Sequence, residues 1–494
     1  MKKNIYLPIL ALTLSGMLGS CEKFLDEVPD ARTEIDTPEK IQNLLGTAYP
    51  NALYFDMCET MSDNAGEKEQ LSESSVYNTQ LYSWKTISES NQYDIPGFYW
   101  NSAYEAIASA NHALEAVEKL GGGAELDYLK GEALVARAYA HFMLGVLWCK
   151  PFNPATANTD LGLPYVTKAE KKVFENYRRI PLSDYYSAIE KDLLEGLPLI
   201  VNTKYKQPKY HFTTEAAHAF ATRFYLMKGD WDKVIEHADA ALGNSASTKL
   251  RDVYGQKSLT YAQKQNLYSS SNEVANALVV GALSSYNNHM ALNKYGVNVT
   301  IKDLLSSSAS HPLGQSWAYT FYGGDDYANI PKYQEYFKYT NISIGIGSRY
   351  NMAVLFSYDE VFLNRLEAYL MKGEKAKFLS DLLVMLKTKT EDDLSSLTAI
   401  TETSLNNRYH GKGTALAPAY TLSTQQREWL QCVVDVRRMV FLFEGLRWFD
   451  NKRFNMEITH QKGSETMVLS ATDPRRELQI PEDAQNNGIS ANPR

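Results

Sequence analysis

The chain runs to 494 residues, 44% of them hydrophobic, which is enough to bury a large core in two lobes and too apolar for a disordered or fibrous protein. Its formal charge of -8 comes without a basic stripe, which excludes a nucleic-acid partner held by counterion release.

Lys2 and Lys3 precede an apolar run from Ile5 to Met17, the pattern of a secretory signal over residues 1–20. The run falls short of the roughly 20 residues that a spanning helix needs, so a cleaved leader is expected. Leu18, Gly19 and Ser20 lead into Cys21 as in a bacterial lipobox, which makes Cys21 the expected lipidation site. Three acyl chains there would tether a soluble body stably to a membrane. Cys58, Cys149 and Cys432 remain, an odd number without CxxC spacing. Neither a disulfide framework nor a zinc site follows, and buried thiols are expected.

Asp36 or Thr37 caps a first helix through Ile41, Leu44, Leu45 and Ala48, with Pro38 in its first turn. From 51 to 97 the helical period fades among polar and aromatic residues, including Asp63, Asn64, Tyr77, Tyr82 and Trp84. A loop-rich stretch of that length is more often functional than idle. Trp100, Tyr104, Ile107, Asn111 and Leu114 mark a helix that stops at Gly121, Gly122 and Gly123, which lack the Lys-Ser/Thr of a phosphate loop. Leu129, Ala133, Ala136 and Ala140 mark the next, closed by Pro151, and Tyr185, Ile189 and Leu193 another.

Residues 213–242 organise the rest as two antiparallel amphipathic helices. Ala217, Phe220, Ala221 and Phe224 share one stripe, and Trp231, Val234, Ile235, Ala238 and Leu242 another. Between them Lys228 suits a helix C-terminus, Gly229 a left-handed stop and Asp230 an N-cap. The pentapeptide Tyr225-Leu-Met-Lys-Gly229 recurs unchanged at 369–373, again between helical patterns. This internal repeat resembles the tetratricopeptide repeat, whose hairpins bury their faces by stacking. Between Ser269 and Arg349 short apolar runs such as Ala277 to Leu283 sit among Ser, Asn, Gly and Tyr. The expected fold is mainly α: a tetratricopeptide-like helical hairpin scaffold with a loop-rich second lobe containing a few short strands. Its units would be 21–268 and 269–494, with 269–349 as an excursion.

Two terminal stretches carry a more specific resemblance. Cys21-Glu-Lys-Phe-Leu-Asp-Glu-Val-Pro29 is similar to the mature N-termini of SusD/RagB outer-membrane lipoproteins. Arg437, Arg438, Phe443, Glu444, Gly445, Arg447, Trp448, Asp450 and Arg453 match that family's C-terminal pattern, with Val436 and Val440 in place of its glutamates and Asn451 in place of its leucine. Leu478-Gln-Ile-Pro481 followed by Asn486 and Asn487 resembles its terminal signature, Gln479 replacing a proline. The spacing by three of Glu444, Arg447, Asp450 and Arg453 itself predicts a ladder of ion pairs along one helix. Anion binding by those arginines is the weaker reading, because each has a carboxylate within one turn.

The resemblance implies a cell-surface binding lipoprotein on the outer membrane. It would capture an oligosaccharide, or in some relatives a peptide, and deliver it to a TonB-dependent transporter of SusC type docked on the helical face. No cofactor is implied. A secreted glycan-degrading enzyme or a pure interaction scaffold are the rivals from other classes. The chain shows no GxSxG, HExxH or Cys-His pairing, and Glu215 with His218 is a lone ExxH pair, so no catalytic residue or metal ligand is singled out. Asp325 and Asp326 beside two glycines read as a solvated turn rather than a calcium site.

Aromatic residues make up 12% of the chain, with 33 tyrosines. Flat rings pack on the C-H faces of sugars, so aromatics in loop-rich stretches are the expected saccharide platform. Trp84, Tyr286, Trp317 and Tyr319 are the expected ligand-binding residues, with Tyr77 and Asp63 behind them.

Overall fold

The computed structural model describes residues 34–73, 75–88, 92–170, 177–324 and 328–494. The leader, Cys21 and the Asp325-Asp326 turn lie outside them.

Helix α1 (Pro38–Leu45) is capped by Thr37, whose side chain accepts from the Lys40 N–H. The stretch expected as loops holds α2 (Phe55–Met61), strand β1 (Gly66–Glu67) and α3 (Val76–Tyr82). Every residue of α2 is buried. A helix of two turns owes its stability to such packing, which leaves little periodicity in the sequence.

Helices α4 (Pro96–Lys119) and α5 (Asp127–Trp148) pair across Gly121, Gly122 and Gly123, all with positive φ. Next come α6 (Leu182–Gly196), the hairpin of α7 (Thr214–Lys228) and α8 (Trp231–Leu242), and α9 (Tyr261–Tyr268). The excursion contributes β2 (Asn276–Leu283), α10 (Tyr286–Leu292), β3 (Tyr295–Gly296), α11 (Val299–Ser306), β4 (Gln334–Asn341) and β5 (Ile346–Ser357). The second hairpin is α12 (Tyr358–Met371) and α13 (Lys375–Lys387). The chain closes with α14 (Glu402–Tyr409), α15 (Thr424–Val440), α16 (Leu446–Arg453), β6 (Ile458–Lys462), β7 (Glu465–Leu469) and α17 (Glu482–Asn486).

The repeated pentapeptide forms the same turn twice. Gly229 at φ +77° donates to Leu226 O and Asp230 to Tyr225 O, while Gly373 at φ +74° donates to Leu370 O and Glu374 to Tyr369 O. Both are left-handed helix stops that satisfy the last carbonyls of α7 and α12. A Cβ at Gly373 would meet no atom within 4 Å, so only backbone strain opposes a side chain there. Gly373→Ala is expected to cost about 1–2 kcal/mol, read as a lower urea midpoint, with Gly373→Asn costing less.

One hydrophobic core runs through both expected units, joining Phe142, Phe220 and Phe224 of the scaffold to Leu278 and Phe356 of the sheet. The excursion therefore adds an antiparallel sheet to the scaffold, ordered β2-β5-β4. Val280, Ala282, Asn351 and Ala353 turn inward, so the residues between them in register face the other way.

The C-terminal charges do not form a ladder on one helix. Only Arg453 and Asp450 pair within α16, at 2.8 Å, whereas Arg447 reaches Asp63 at 2.6 Å and Glu444 accepts from Lys332 at 2.6 Å. All are buried or nearly so, because this stretch runs through the middle of the molecule and pairs with whichever elements surround it. Cys58, Cys149 and Cys432 are buried free thiols.

Candidate functional site

Two of the six candidate residues are indoles and both are interior. Trp84 is 5% exposed, donates Nε1 to Met61 O at 2.9 Å and stacks on His460 at 4.4 Å. His460 continues the stack to Tyr82 and Tyr295, with centroids 4.0 and 4.2 Å apart. Trp317, also 5% exposed, donates to Ser310 Oγ at 2.9 Å with its ring set edge-on to His311.

Tyr286 is 2% and Tyr77 4% exposed, and Tyr319 is half-buried against the core. Asp63 is clamped by Arg447 at 2.6 and 2.7 Å and by Asn451 at 3.0 Å. Burial would raise its carboxyl, but Arg438 and Arg447 outweigh burial and hold it far below the usual range. The expectation of free loop aromatics is corrected for these residues: His460 of β6 covers Trp84, His311 stands against Trp317, and Tyr77 of α3 and Tyr286 of α10 are drawn into the interior.

Open aromatics lie instead on the outward face of the sheet. Tyr336 of β4 pairs with Tyr350 of β5, and their rings stack at 5.3 Å and 16°. The next row brings Gly281 of β2 opposite Met352. A Cβ on Gly281 would stand 2.8 Å from Tyr336 Oη, so the glycine lets that ring lie across the strand. Tyr336 remains 41% exposed. Burial, with Tyr350 and Tyr210 alongside, raises its hydroxyl above the ordinary value. At the top of the same face Tyr93 donates to Ser348 Oγ at 3.3 Å and leans on Phe98 at 5.2 Å.

Gly281, over which Tyr336 lies, is also in the lining of a groove of about 530 Å³ between the sheet and α4. Phe98, Ser102, Glu105 and Ser109 follow one another at helical spacing, so α4 presents them as one stripe. Ser102, Glu105 and Ser109 line the groove, facing Val279 and Gly281 across it, with Asn51 in the floor and Tyr210 at the end. Below Tyr210, His211 bonds Glu132 Oε1 at 2.8 Å and Tyr49 donates to the same oxygen at 2.7 Å, which fixes that end of the groove. The arrangement offers flat apolar faces beside hydroxyl, amide and carboxylate groups, the mixture that holds a sugar ring by its two kinds of surface.

Sequence reasoning missed Tyr336, Tyr350, Tyr93, Phe98 and Tyr210. The signal for the first pair was the lone Gly281 inside an apolar strand run, which marks a close approach across a sheet.

Residues 23–226 match a family model described as SusD-like, starch-binding and associating with the outer membrane. A SusD-like protein P2 from Formosa agariphila is 21% identical over 386 residues, covering 72% of this chain and 71% of that protein. A SusD superfamily protein from Bacteroides thetaiotaomicron superposes with a TM-score of 0.64 at 17% identity, over 93% of this chain and 100% of its own. A SusD-like carbohydrate binding protein from Bacteroides vulgatus gives 0.63 at 15% identity, over 91% and 96%. The N-terminal part of the chain matches the SusD-like family model, and over nearly its whole length the chain has the fold of SusD superfamily structures.

Proposed function

We propose that the chain captures an oligosaccharide in the groove between α4 and the β2-β5-β4 sheet and passes it to a TonB-dependent transporter of SusC type. Tyr336, stacked on Tyr350 and lying over Gly281 at a polar groove, carries this reading. The family description, starch-binding at the outer membrane, supports the ligand class and the place. The lipobox at Cys21 supplies the anchor. Glu105 is the one carboxylate among the described residues lining the groove, and a glycosidase needs two across the bond it cuts. The single carboxylate supports capture without turnover.

Calorimetric titration against oligosaccharides and short peptides, with product analysis afterwards, tests the proposal. Saturable binding of intact sugar is the expected result. Cleaved product would overturn capture, and binding of peptides alone would overturn the sugar. Co-purification of a barrel transporter from membranes, lost in Cys21→Ser, tests the hand-over.

A further inference from the structure

Four elements bring Asp56 of α2, Tyr77 of α3, Asp94 before α4 and His289 of α10 together. His289 Nδ1 stands 3.2 Å from Asp56 Oδ2 and 3.8 Å from Asp94 Oδ2, and Tyr77 Oη is 2.8 Å from the same nitrogen. One oxygen or nitrogen from each of Asp56, Asp94 and His289 lies within 4.8 Å of the others. Neighbouring ligands on an ion with bonds of about 2.1 Å stand roughly 3.0–3.4 Å apart, so a small closure would bring all three into one coordination shell.

Two further polar atoms here lack partners. Asp94 is 1% exposed, and while its Oδ2 accepts from the Ser285 N–H at 2.8 Å, its Oδ1 has no hydrogen bond. The Tyr286 hydroxyl, also buried, has none either, and Tyr286 lines a cavity of about 10 Å³ with Asp56 and His289. That is room for one ion or water. Buried polar atoms without partners call for a ligand, since leaving them bare costs about 1–3 kcal/mol each.

We infer that Asp56, Asp94 and His289 form a binding site for a first-row divalent cation, Mn²⁺ or Zn²⁺, with the Tyr286 hydroxyl as a further donor. Two carboxylates with one imidazole suit such ions better than the all-oxygen shells of calcium. The placement has a consequence for the proposed sugar groove, on which this part of the inference rests. Asp94 follows Tyr93 and precedes Phe98, and its Oδ2 ties that segment to Ser285, two residues beyond β2. The ion would brace the two aromatics at the top of the groove.

The test uses the full chain, stripped with a chelator and dialysed. Titration with Mn²⁺ followed by electron paramagnetic resonance, and Zn²⁺ content by elemental analysis, are read without sugar present. One ion per chain is expected, bound at least tenfold more weakly in Asp94→Asn and His289→Gln and unchanged in Asp303→Asn, a surface carboxylate. Circular dichroism and the urea midpoint of each variant separate lost ligands from lost folding. No stoichiometric binding, equal binding in both variants, or preference for Ca²⁺ would overturn the assignment. Ion binding in a chain that takes no sugar would overturn the groove reading and leave the cation site standing.

Discussion

Asp450→Ala is expected to cost the fold about 3–5 kcal/mol, the range for stripping one partner from a buried ion pair. Asp450 accepts from Arg437 Nε at 3.0 Å and from Arg453 Nε at 2.8 Å. Arg453 also grips Glu367 of α12 at 2.5 and 2.7 Å, and Arg437 donates to Asn364 at 2.8 Å. The network thus ties α15 and α16 to the second repeat hairpin, and every member is buried. Without Asp450, Arg453 keeps Glu367 while Arg437 keeps only the Asn364 amide, a buried guanidinium left without a carboxylate. The midpoint of urea unfolding should fall with its slope unchanged. Asp232→Ala supplies the contrast, because Asp232 is 77% exposed in its pair with Lys372 and its loss should cost under about 1 kcal/mol. Acid adds a second readout. Burial alone would raise the Asp450 carboxyl, but Arg437, Arg453 and Arg447 hold it below its usual 3.8. A depressed carboxylate stabilises the fold above its unfolded value and loses that contribution as pH falls through the folded one. The unaltered protein should therefore weaken below about pH 4, and Asp450→Asn should lack that part of the acid response. Equal midpoint shifts in Asp450→Ala and Asp232→Ala would refute the buried network.

The same stretch shows what the sequence could and could not convey. Arg437, Arg447, Asp450 and Arg453 were legible as a charged motif because their spacing is local, yet three of their partners, Asp63, Asn364 and Glu367, lie far away in the chain. Helical hairpins were legible for the opposite reason, since the stop at Gly229 and its copy at Gly373 depend on the residues beside them. Strand β2 was visible as an apolar run, but which face of the β4–β5 hairpin, and so of Tyr336 and Tyr350, turns outward depends on its pairing with β2, separated from it in the chain by other elements. Trp84 misleads for a related reason. Its surroundings read as loop, while His460, the residue that covers it, comes from β6. The two-turn helices α2, α3 and α10 carry too few residues for a period to declare itself, so the burial of Tyr77 and Tyr286 on two of them was not legible.

Tyr336→Ala and Tyr350→Ala are each expected to weaken oligosaccharide binding about tenfold, or about 1.4 kcal/mol for one ring. The two rings stack on one another, so they act as one platform and the double variant should lose less than the product of the singles. Neither change should lower stability by more than about 1 kcal/mol, since both rings sit on the outward face. Gly281→Val sharpens the test without removing an aromatic. Its Cβ would stand 2.8 Å from Tyr336 Oη, so the ring must swing off the strand, and affinity should fall as far as in Tyr336→Ala. The buried indoles should behave in reverse. Trp84→Ala or Trp317→Ala removes a packed side chain at a cost of about 3–5 kcal/mol, while any molecules that still fold should keep their affinity. Affinity lost in the two indole variants and kept in the tyrosine and glycine variants would move the site to the segments around Trp84 and Trp317. The opposite pattern would fix it on the sheet, where the Tyr336 ring packs against Tyr350 and stays 41% exposed.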